Sequence, residues 1–376
     1  MAYYTVAHLL QGGVLDGSQV GPLGVDAKDL CDKCWDYVFL GKEFHADCKV
    51  SQEKLDKMKH EFNYWYPMDL RVSGKDLIRN HLTMSLYNHA AMWNDHKMMP
   101  KAMFCNGYMV LNNEKMSKST GNFLTIKDCI KQFGVDATRI TLADAGDHLD
   151  DANFDTEVAN ASILKLFVFE QWIQENMKAS FPEGSSDFAA AKESRGVWDT
   201  IFENAINNAI EQATTNFEQM KYKQALKSAF FELQSVKEDY LIASDMKANP
   251  YTLVRYLHVQ LTLMNPIVPH FAQFCWENYV YPIIAKSQNY EFEVSENLNH
   301  CKWPEPTAAF DATIAARLSY MKDLKGAIKV GFEKAKTGGK KKPKKGEEVE
   351  AKQVEKAYVF IAKEFPEFQK KCLEIL

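Results

Sequence analysis

Val110-Leu-Asn-Asn-Glu-Lys-Met-Ser-Lys-Ser-Thr-Gly-Asn122 sets two lysines, Lys115 and Lys118, three residues apart among Ser117, Ser119 and Thr120, and closes on Gly121. An apolar run precedes this stretch and a helix start follows it. Lysine carries a compact charge on a flexible stem. Hydroxyls add donors, and glycine lets backbone approach a ligand. Such a mobile, cationic loop suits a polyphosphate whose charge changes during a reaction. A solvated lysine loop is the competing reading of any K-x-x-K. Here the whole word Lys115-Met-Ser-Lys-Ser119 is present, which favours the functional reading.

Upstream, Met68–Ser73 reads as a parallel strand before a turn. Asp76–Trp93 then carries Leu77, Ile78, His81, Leu82, Leu86, Ala90 and Trp93 at helical spacing. Met103–Asn106 is a second short strand. Downstream, Thr125 is an N-cap for Ile126–Phe133, Gly134 ends that helix, and Asp136–Ala145 stops at Gly146. Strand, helix, strand, helix predicts a parallel α/β sheet, which binds ligands at the carboxyl ends of its strands. Ser73-Gly74-Lys75-Asp76 lies at such an end. Gly74 opens the backbone to a ligand, and Asp76 can accept from vicinal ribose hydroxyls or cap the following helix. Spacing leaves those two roles even. His81 is a core histidine or a ligand contact, and His89 is core. Gly107 and Met109 present backbone to a ligand or form an ordinary turn.

The flanks are plainer. Tyr3–Gln11 reads as an apolar helix fragment, Gly12–Gly24 as loop, and Ala27–Phe39 and Glu53–Phe62 as helices. After Asp155 long helical patterns run through Thr156–Lys178, Gly196–Met220, Tyr222–Ser244 and Thr252–Met264. Pro266 and Pro269 interrupt before Phe271–Ala285, and Asp311–Lys334 is a last helix, so this part is an all-α bundle. Phe167, Trp172, Phe230, Phe231 and Tyr256 sit at core spacing. Residues 336–345 hold six lysines, followed by Glu347, Glu348 and Glu350, which reads as a charged linker rather than a nucleic-acid patch. Ala357–Ala362 is strand-like.

With 376 residues the chain should hold two or three domains. Its hydrophobic content of 46% is ordinary for a globular protein, and no apolar run reaches the roughly 20 residues that span a bilayer. Met1–Gln11 has no signal-peptide pattern, and the eight cysteines are scattered, as suits a reducing compartment. The net charge of −5 does not exclude RNA, because local patches do the binding. Cys31-x-x-Cys34 with His45 and Cys48 has possible zinc spacing. Trp35, Tyr37, Val38 and Phe39 make the first pair read instead as part of a packed helix, so no metal ligand is assigned.

Lys115-Met-Ser-Lys-Ser119 is the second signature of the class I aminoacyl-tRNA synthetases, and the chain resembles that family. Tyr64-Trp-Tyr-Pro-Met-Asp-Leu-Arg-Val-Ser-Gly-Lys-Asp-Leu77, Asn80-His-Leu82 and Tyr87-Asn-His89 are similar to the cytosolic, eukaryotic-type leucyl-tRNA synthetases. So are Leu142-Ala-Asp-Ala-Gly-Asp147, Asp151-Ala-Asn-Phe154 and Met1-Ala-Tyr-Tyr-Thr-Val-Ala-His-Leu-Leu-Gln-Gly12, the last of these internally in that family's chain. The likeness runs over nearly the whole sequence and is densest around 62–155.

The resemblance implies an α/β fold, the second half of a class I Rossmann-type nucleotide-binding fold, followed by an all-α bundle of the anticodon-binding type. Residues 1–62 would be the catalytic-core remainder after an editing insertion, and 63–155 the carboxyl half of the Rossmann domain. Residues 156–334 would be the anticodon-binding-type bundle, 335–352 a linker and 353–376 the start of a further domain. The implied activity is that of a leucine–tRNA ligase: leucine and ATP, with Mg2+, give leucyl-adenylate, and the leucyl group passes to tRNA(Leu) in protein synthesis. Lys115 and Lys118 would hold phosphate as catalytic groups, with Met116, Ser117 and Ser119 beside them. Gly74 and Asp76 would bind adenosine, and His81 would face the adenylate. Leu77 stands where many relatives place a polar or His residue, which departs from the family pattern. The implied partners are tRNA(Leu), leucine, ATP and other synthetases in a complex, in the cytoplasm, with neither DNA nor membrane. The family's first signature, of the HIGH type, and its editing domain are not in this sequence, so a carboxyl-half piece is expected. A non-catalytic tRNA-binding or complex-assembly module is the alternative. Isoleucyl or valyl specificity is a third reading, against which Asp69-Leu-Arg-Val-Ser-Gly-Lys-Asp76 argues.

Overall fold

Leu70–Gly74 (β1) and Ala102–Asn106 (β2) pair in parallel, with Leu70 opposite Ala102 and Gly74 opposite Asn106. Parallel neighbours need a crossover. A 3₁₀ turn Lys75–Leu77, a π-turn Ile78–Leu82 and the helix Thr83–Met92 supply it in one continuous run. The fold is that of a computed structural model, which describes residues 2–13, 18–93, 95–117, 119–336, 364 and 370. Lys118, the lysine run beyond Lys336 and the strand-like run Ala357–Ala362 lie outside the described residues.

Among the described residues the expected sheet is two small ones. Met109–Leu111 (β3) pairs antiparallel with Glu114–Lys115 (β4) and parallel with Ala152–Phe154 (β5), separately from β1 and β2. The break falls at Gly107. There the backbone turns its N–H to His148 O at 3.2 Å, and Tyr108 N donates to Asp151 Oδ1 at 2.9 Å. These donors are therefore spent on the incoming segment before β5.

The helices of this half follow the local signals. Thr125 caps Ile126–Phe133 (α5) by accepting from Asp128 N at 3.1 Å, and Gly134 ends it at φ 79°. Val135–Ala145 (α6) follows directly. Before β1, Ala27–Phe39 divides into a 3₁₀ turn Ala27–Asp29 and the helix Asp32–Phe39 (α2), and the next helix runs longer than expected, Gln52–Trp65 (α3).

Beyond β5 the chain is helical. Asp155 caps Thr156–Ser180 (α7) through the N–H groups of Glu157 and Val158. Val197–Glu218 (α9) packs against a long run whose α-helical ends, Tyr222–Leu226 (α10) and Leu233–Ala243 (α11), flank a π-turn. Pro250–Met264 (α12) is the bundle centre and is buried from Tyr251 to Met264. Pro269 does not interrupt the next helix. It starts Pro269–Cys275 (α13) at the first turn, where a missing N–H costs nothing. A short helix, Phe188–Glu193 (α8), was not anticipated. Ala312–Lys336 (α15) lies on the surface with no buried residue. Of the five aromatics placed in the core by spacing, Phe230 and Tyr256 are buried and Trp172 and Phe231 are partly so, whereas Phe167 is 56% exposed. Helical spacing names a face, not whether a neighbour covers it.

Three apolar clusters form among the described residues. One gathers Val6, Leu10, Cys34, Leu55, Phe62, Tyr66 and Trp93. A second, under the signature loop, holds Leu111, Cys129, Phe133, Phe154 and Ala159. The third fills the bundle and takes in Ile140 from α6. Polar bonds tie α6 to the bundle: Arg139 donates to Ile267 O and Pro266 O, both at 2.7 Å, and Asp136 accepts from Phe271 N at 2.6 Å. Among the described residues no helix is long and apolar enough to cross a membrane.

Candidate functional site

The signature loop grows out of a hairpin. Asn112 and Asn113 both have positive φ, 51° and 65°, the pattern of a type I′ turn. The turn reverses the chain so that Lys115 lies opposite Val110, back beside the start of β3. Lys115 is exposed on β4, with its side chain free of the core. The loop then closes on itself: Ser117 N donates to Asn122 O at 2.8 Å, and Asn122 Nδ2 donates to Lys115 O at 3.3 Å. The Ser117 and Ser119 hydroxyls meet at 2.8 Å, and Thr120 Oγ1 donates to Ser117 O at 3.2 Å. Gly121 has φ 74°, so glycine is required there by the turn itself. These bonds close the described part of the loop on itself. Met116 differs from its neighbours, because its side chain packs on the Leu111–Phe154 cluster and lines an apolar cavity of about 460 Å³. It anchors the loop on that cluster.

Gly74 and Asp76 stand at the carboxyl end of β1. A Cβ at Gly74 would lie 2.6 Å from Asp76 Oδ1, so the missing side chain makes room for the carboxylate of Asp76. That carboxylate is exposed, within the first turn rather than capping it. Between the two, Lys75 Nζ reaches Asp151 Oδ1 at 2.6 Å and Leu149 O at 3.3 Å, and its ammonium lies 4.9 Å from the Tyr108 ring centre. The Asp151 hydrogen bond raises the lysine's pKa, and the lysine, followed by Tyr108 N–H, lowers that of Asp151. This tether connects β1 to the segment that enters β5, and hence to β3 and its hairpin.

His81 lines a different hollow from the signature loop. It is exposed, not core, and its Nδ1 accepts from Arg71 Nη2 at 2.5 Å. With Tyr66, Met84, Ser85, His89 and Trp93 it lines a hollow of about 300 Å³ on the crossover helix. His89 is core as expected: its Nδ1 donates to Ser85 O and its Nε2 accepts from Tyr66 OH. Burial pushes the Tyr66 phenol up to about 12. Gly107 does not offer its backbone to a ligand, since its N–H is held by His148 O.

Asp151-Ala-Asn-Phe154, quoted above only for its likeness, has a physical role that sequence reasoning missed. Asp151 holds Lys75 and Tyr108 N. Asn153 Oδ1 accepts from Asn113 N at 2.7 Å, and Phe154 fills the cluster beneath the loop. Asn112 Oδ1 in turn accepts from Thr156 N at 3.0 Å. Alternation of polar and apolar residues on a three-residue strand was the available signal.

Comparison with known proteins fits this arrangement. A model of class I tRNA synthetases (M) matches residues 44–165, and one of the anticodon-binding domain of tRNA ligase matches 199–351. The cytoplasmic leucine–tRNA ligase of Dictyostelium discoideum is 38% identical over 382 residues, covering 100% of this chain and 33% of the relative. Over its whole length this chain is similar to these class I aminoacyl-tRNA synthetases. That of Saccharomyces cerevisiae is 36% identical over 375 residues, 100% of this chain and 32% of the relative. A LeuRS of Agrobacterium radiobacter K84, solved with tRNA and LeuAMS, shares 17% of its residues at a TM-score of 0.48, over 73% of this chain and 32% of that one. The chain spans about a third of the length of the curated relatives it matches.

Gly107 is the tightest point of the site. A Cβ there would lie 2.0 Å from Asp150 O and 2.4 Å from Asp150 C, both backbone atoms that cannot rotate away. Gly107→Ala is expected to destabilise the fold by about 1–3 kcal/mol or more, the usual cost of overpacking. Urea unfolding of the two proteins checks it, and an equal midpoint would contradict the close approach.

Proposed function

We propose that this chain serves the leucine–tRNA ligase reaction. The observation that carries the reading is the signature hairpin and loop, returned beside β3 and tethered through Asp151 to the carboxyl end of β1. It occurs in a chain similar over its whole length to leucine–tRNA ligases. In the first step a carboxylate oxygen of leucine attacks the α-phosphorus of ATP, and the bond to pyrophosphate breaks. In the second, a ribose hydroxyl at the 3′ end of tRNA(Leu) attacks the leucyl carbonyl, and AMP leaves. Lys115 and Lys118 neutralise phosphate charge that grows as pyrophosphate departs, which selects the transition state over the bound substrate. The hydroxyls of Ser117 and Ser119 donate to phosphate oxygens. Asp76 accepts from the ribose hydroxyls of the nucleotide. His81, set on the crossover helix, faces the aminoacyl end.

Mg2+ would enter with the nucleotide, bound by phosphate oxygens and water. The loop's ammonium and hydroxyl groups are not magnesium ligands of the required kind, and no residue is assigned to the ion. The bundle from Thr156 onwards docks the body of the tRNA through phosphate contacts. The cytoplasm is the proposed location, in line with the names of the relatives.

The test is a chimera in which this chain replaces the matching third of the Saccharomyces cerevisiae enzyme. It should charge leucine tRNA with leucine and neither isoleucine nor valine, and it should tolerate anticodon changes. A folded chimera that forms no leucyl-adenylate would refute the reading.

A further inference from the structure

Three sulfur atoms from two separate segments converge beside the first apolar cluster. Cys31 is the N-cap of α2 and Cys34 lies in its first turn. Cys48 follows an irregular stretch of chain and ends a turn in which its N–H donates to His45 O at 3.0 Å. The three Sγ atoms all lie within 4.8 Å of one another, and those of Cys31 and Cys34 are 3.6 Å apart. Ligands about 2.3 Å from a tetrahedral zinc ion stand about 3.8 Å from each other, so small side-chain rotations suffice to enclose the ion. We propose that Cys31, Cys34 and Cys48 bind a zinc ion as three thiolates.

Packing by itself does not explain the convergence. A buried free cysteine behaves as a small apolar side chain, and this accounts for Cys34, which is fully buried. Cys31 is exposed and Cys48 only partly buried, yet both turn their sulfur towards it. A disulfide needs sulfurs about 2.05 Å apart and joins two of them, leaving the third without a role. The aromatic face of α2 does not compete with a metal either. Tyr37 and Val38 point into the cluster from the body of the helix, while the thiols gather at its start. His45 is turned away, its ring against Lys33 Nζ at 3.2 Å and its Nδ1 accepting from Asp47 N at 3.2 Å. The site is therefore three-sulfur, with solvent completing the tetrahedron. Each thiol releases its proton to solvent as its sulfur binds, and the ion ties the turn before Val50 to the helix that carries Trp35 and Phe39.

The purified chain, reduced and freed of metal under anaerobic conditions, is titrated with Zn2+ against a chromophoric chelator and with Co2+ by absorption. One ion per chain is expected, with thiolate-to-cobalt charge transfer, tetrahedral d–d bands and a rise in the melting temperature on adding Zn2+. Cys48→Ser and the exposed Cys31→Ser should lose the ion, while Cys301→Ser, in the helical half, should bind like the parent. Circular dichroism shows that each variant is folded. The parent titration stands even where a variant is not. No binding by the parent, parent-like binding by both folded variants, or a Cys31–Cys34 disulfide in anaerobically purified protein would overturn the proposal.

Discussion

Lys118→Ala, made in a chain joined to the rest of a relative's length, should lower adenylate formation by about 10²–10³-fold, the cost of one lost charged donor at a transition state. Leucine affinity should stay within about twofold, because the lysine meets charge that develops only as pyrophosphate departs. The hydrogen bonds among its described neighbours give the reason to expect a large effect. Ser117 is paired with Asn122, Asn122 with Lys115, and Met116 is anchored in the cluster below, so these neighbours are placed before substrate arrives. A donor on a preorganised frame need not be ordered during the reaction. Lys115→Ala should act in the same direction. ATP–pyrophosphate exchange measures the first quantity and equilibrium dialysis of leucine the second. An unchanged exchange rate would remove the loop from the mechanism, and an equal loss in leucine affinity would make its role one of general binding.

Glu203→Ala should destabilise the chain by about 3–5 kcal/mol, the range for breaking a buried ion pair by removing one partner. Arg255 is fully buried on α12, with Nε 3.5 Å from Glu203 Oε1 and its guanidinium 4.2 Å from the Phe292 ring centre. Its Nη2 donates to Glu305 O at 2.9 Å, while Nε and Nη1 have no hydrogen bond. Removing Glu203 leaves that cation without its nearest counter-charge and also frees Thr307, which donates to Glu203 at 2.9 Å. Urea unfolding followed by circular dichroism gives the number. Glu203→Ala with Arg255→Met should recover most of the loss, since an apolar replacement of both partners is often neutral. A single-variant cost below about 1 kcal/mol would show that water, rather than Glu203, compensates Arg255.

Both residues illustrate what could be read in advance. Lys118 was legible because its neighbours form a five-residue word with one chemical purpose. Glu203 and Arg255 were not, because each is an ordinary charged residue on a helix and the pair forms across 52 positions of chain. The same holds for Asp151 and Lys75, which are 76 apart. The cysteines show a third case. Their spacing was visible, but an aromatic helix face also was, and only the fold shows that the two occupy different ends of α2.

Local sequence settles the helix capped at Thr125, its stop at Gly134, the strand before Gly74 and the signature loop. Each depends on contacts within a few residues: a side chain reaching a nearby N–H, a glycine taking positive φ, a lysine word read as a unit. Long-range packing decides that the sheet divides at Gly107, that Met116 is an anchor, that His81 is exposed rather than core and that three sulfurs meet. Those outcomes depend on which distant backbone or side chain arrives at the same point, and hydrophobic burial, which brings them there, is non-directional and carries no trace in local spacing.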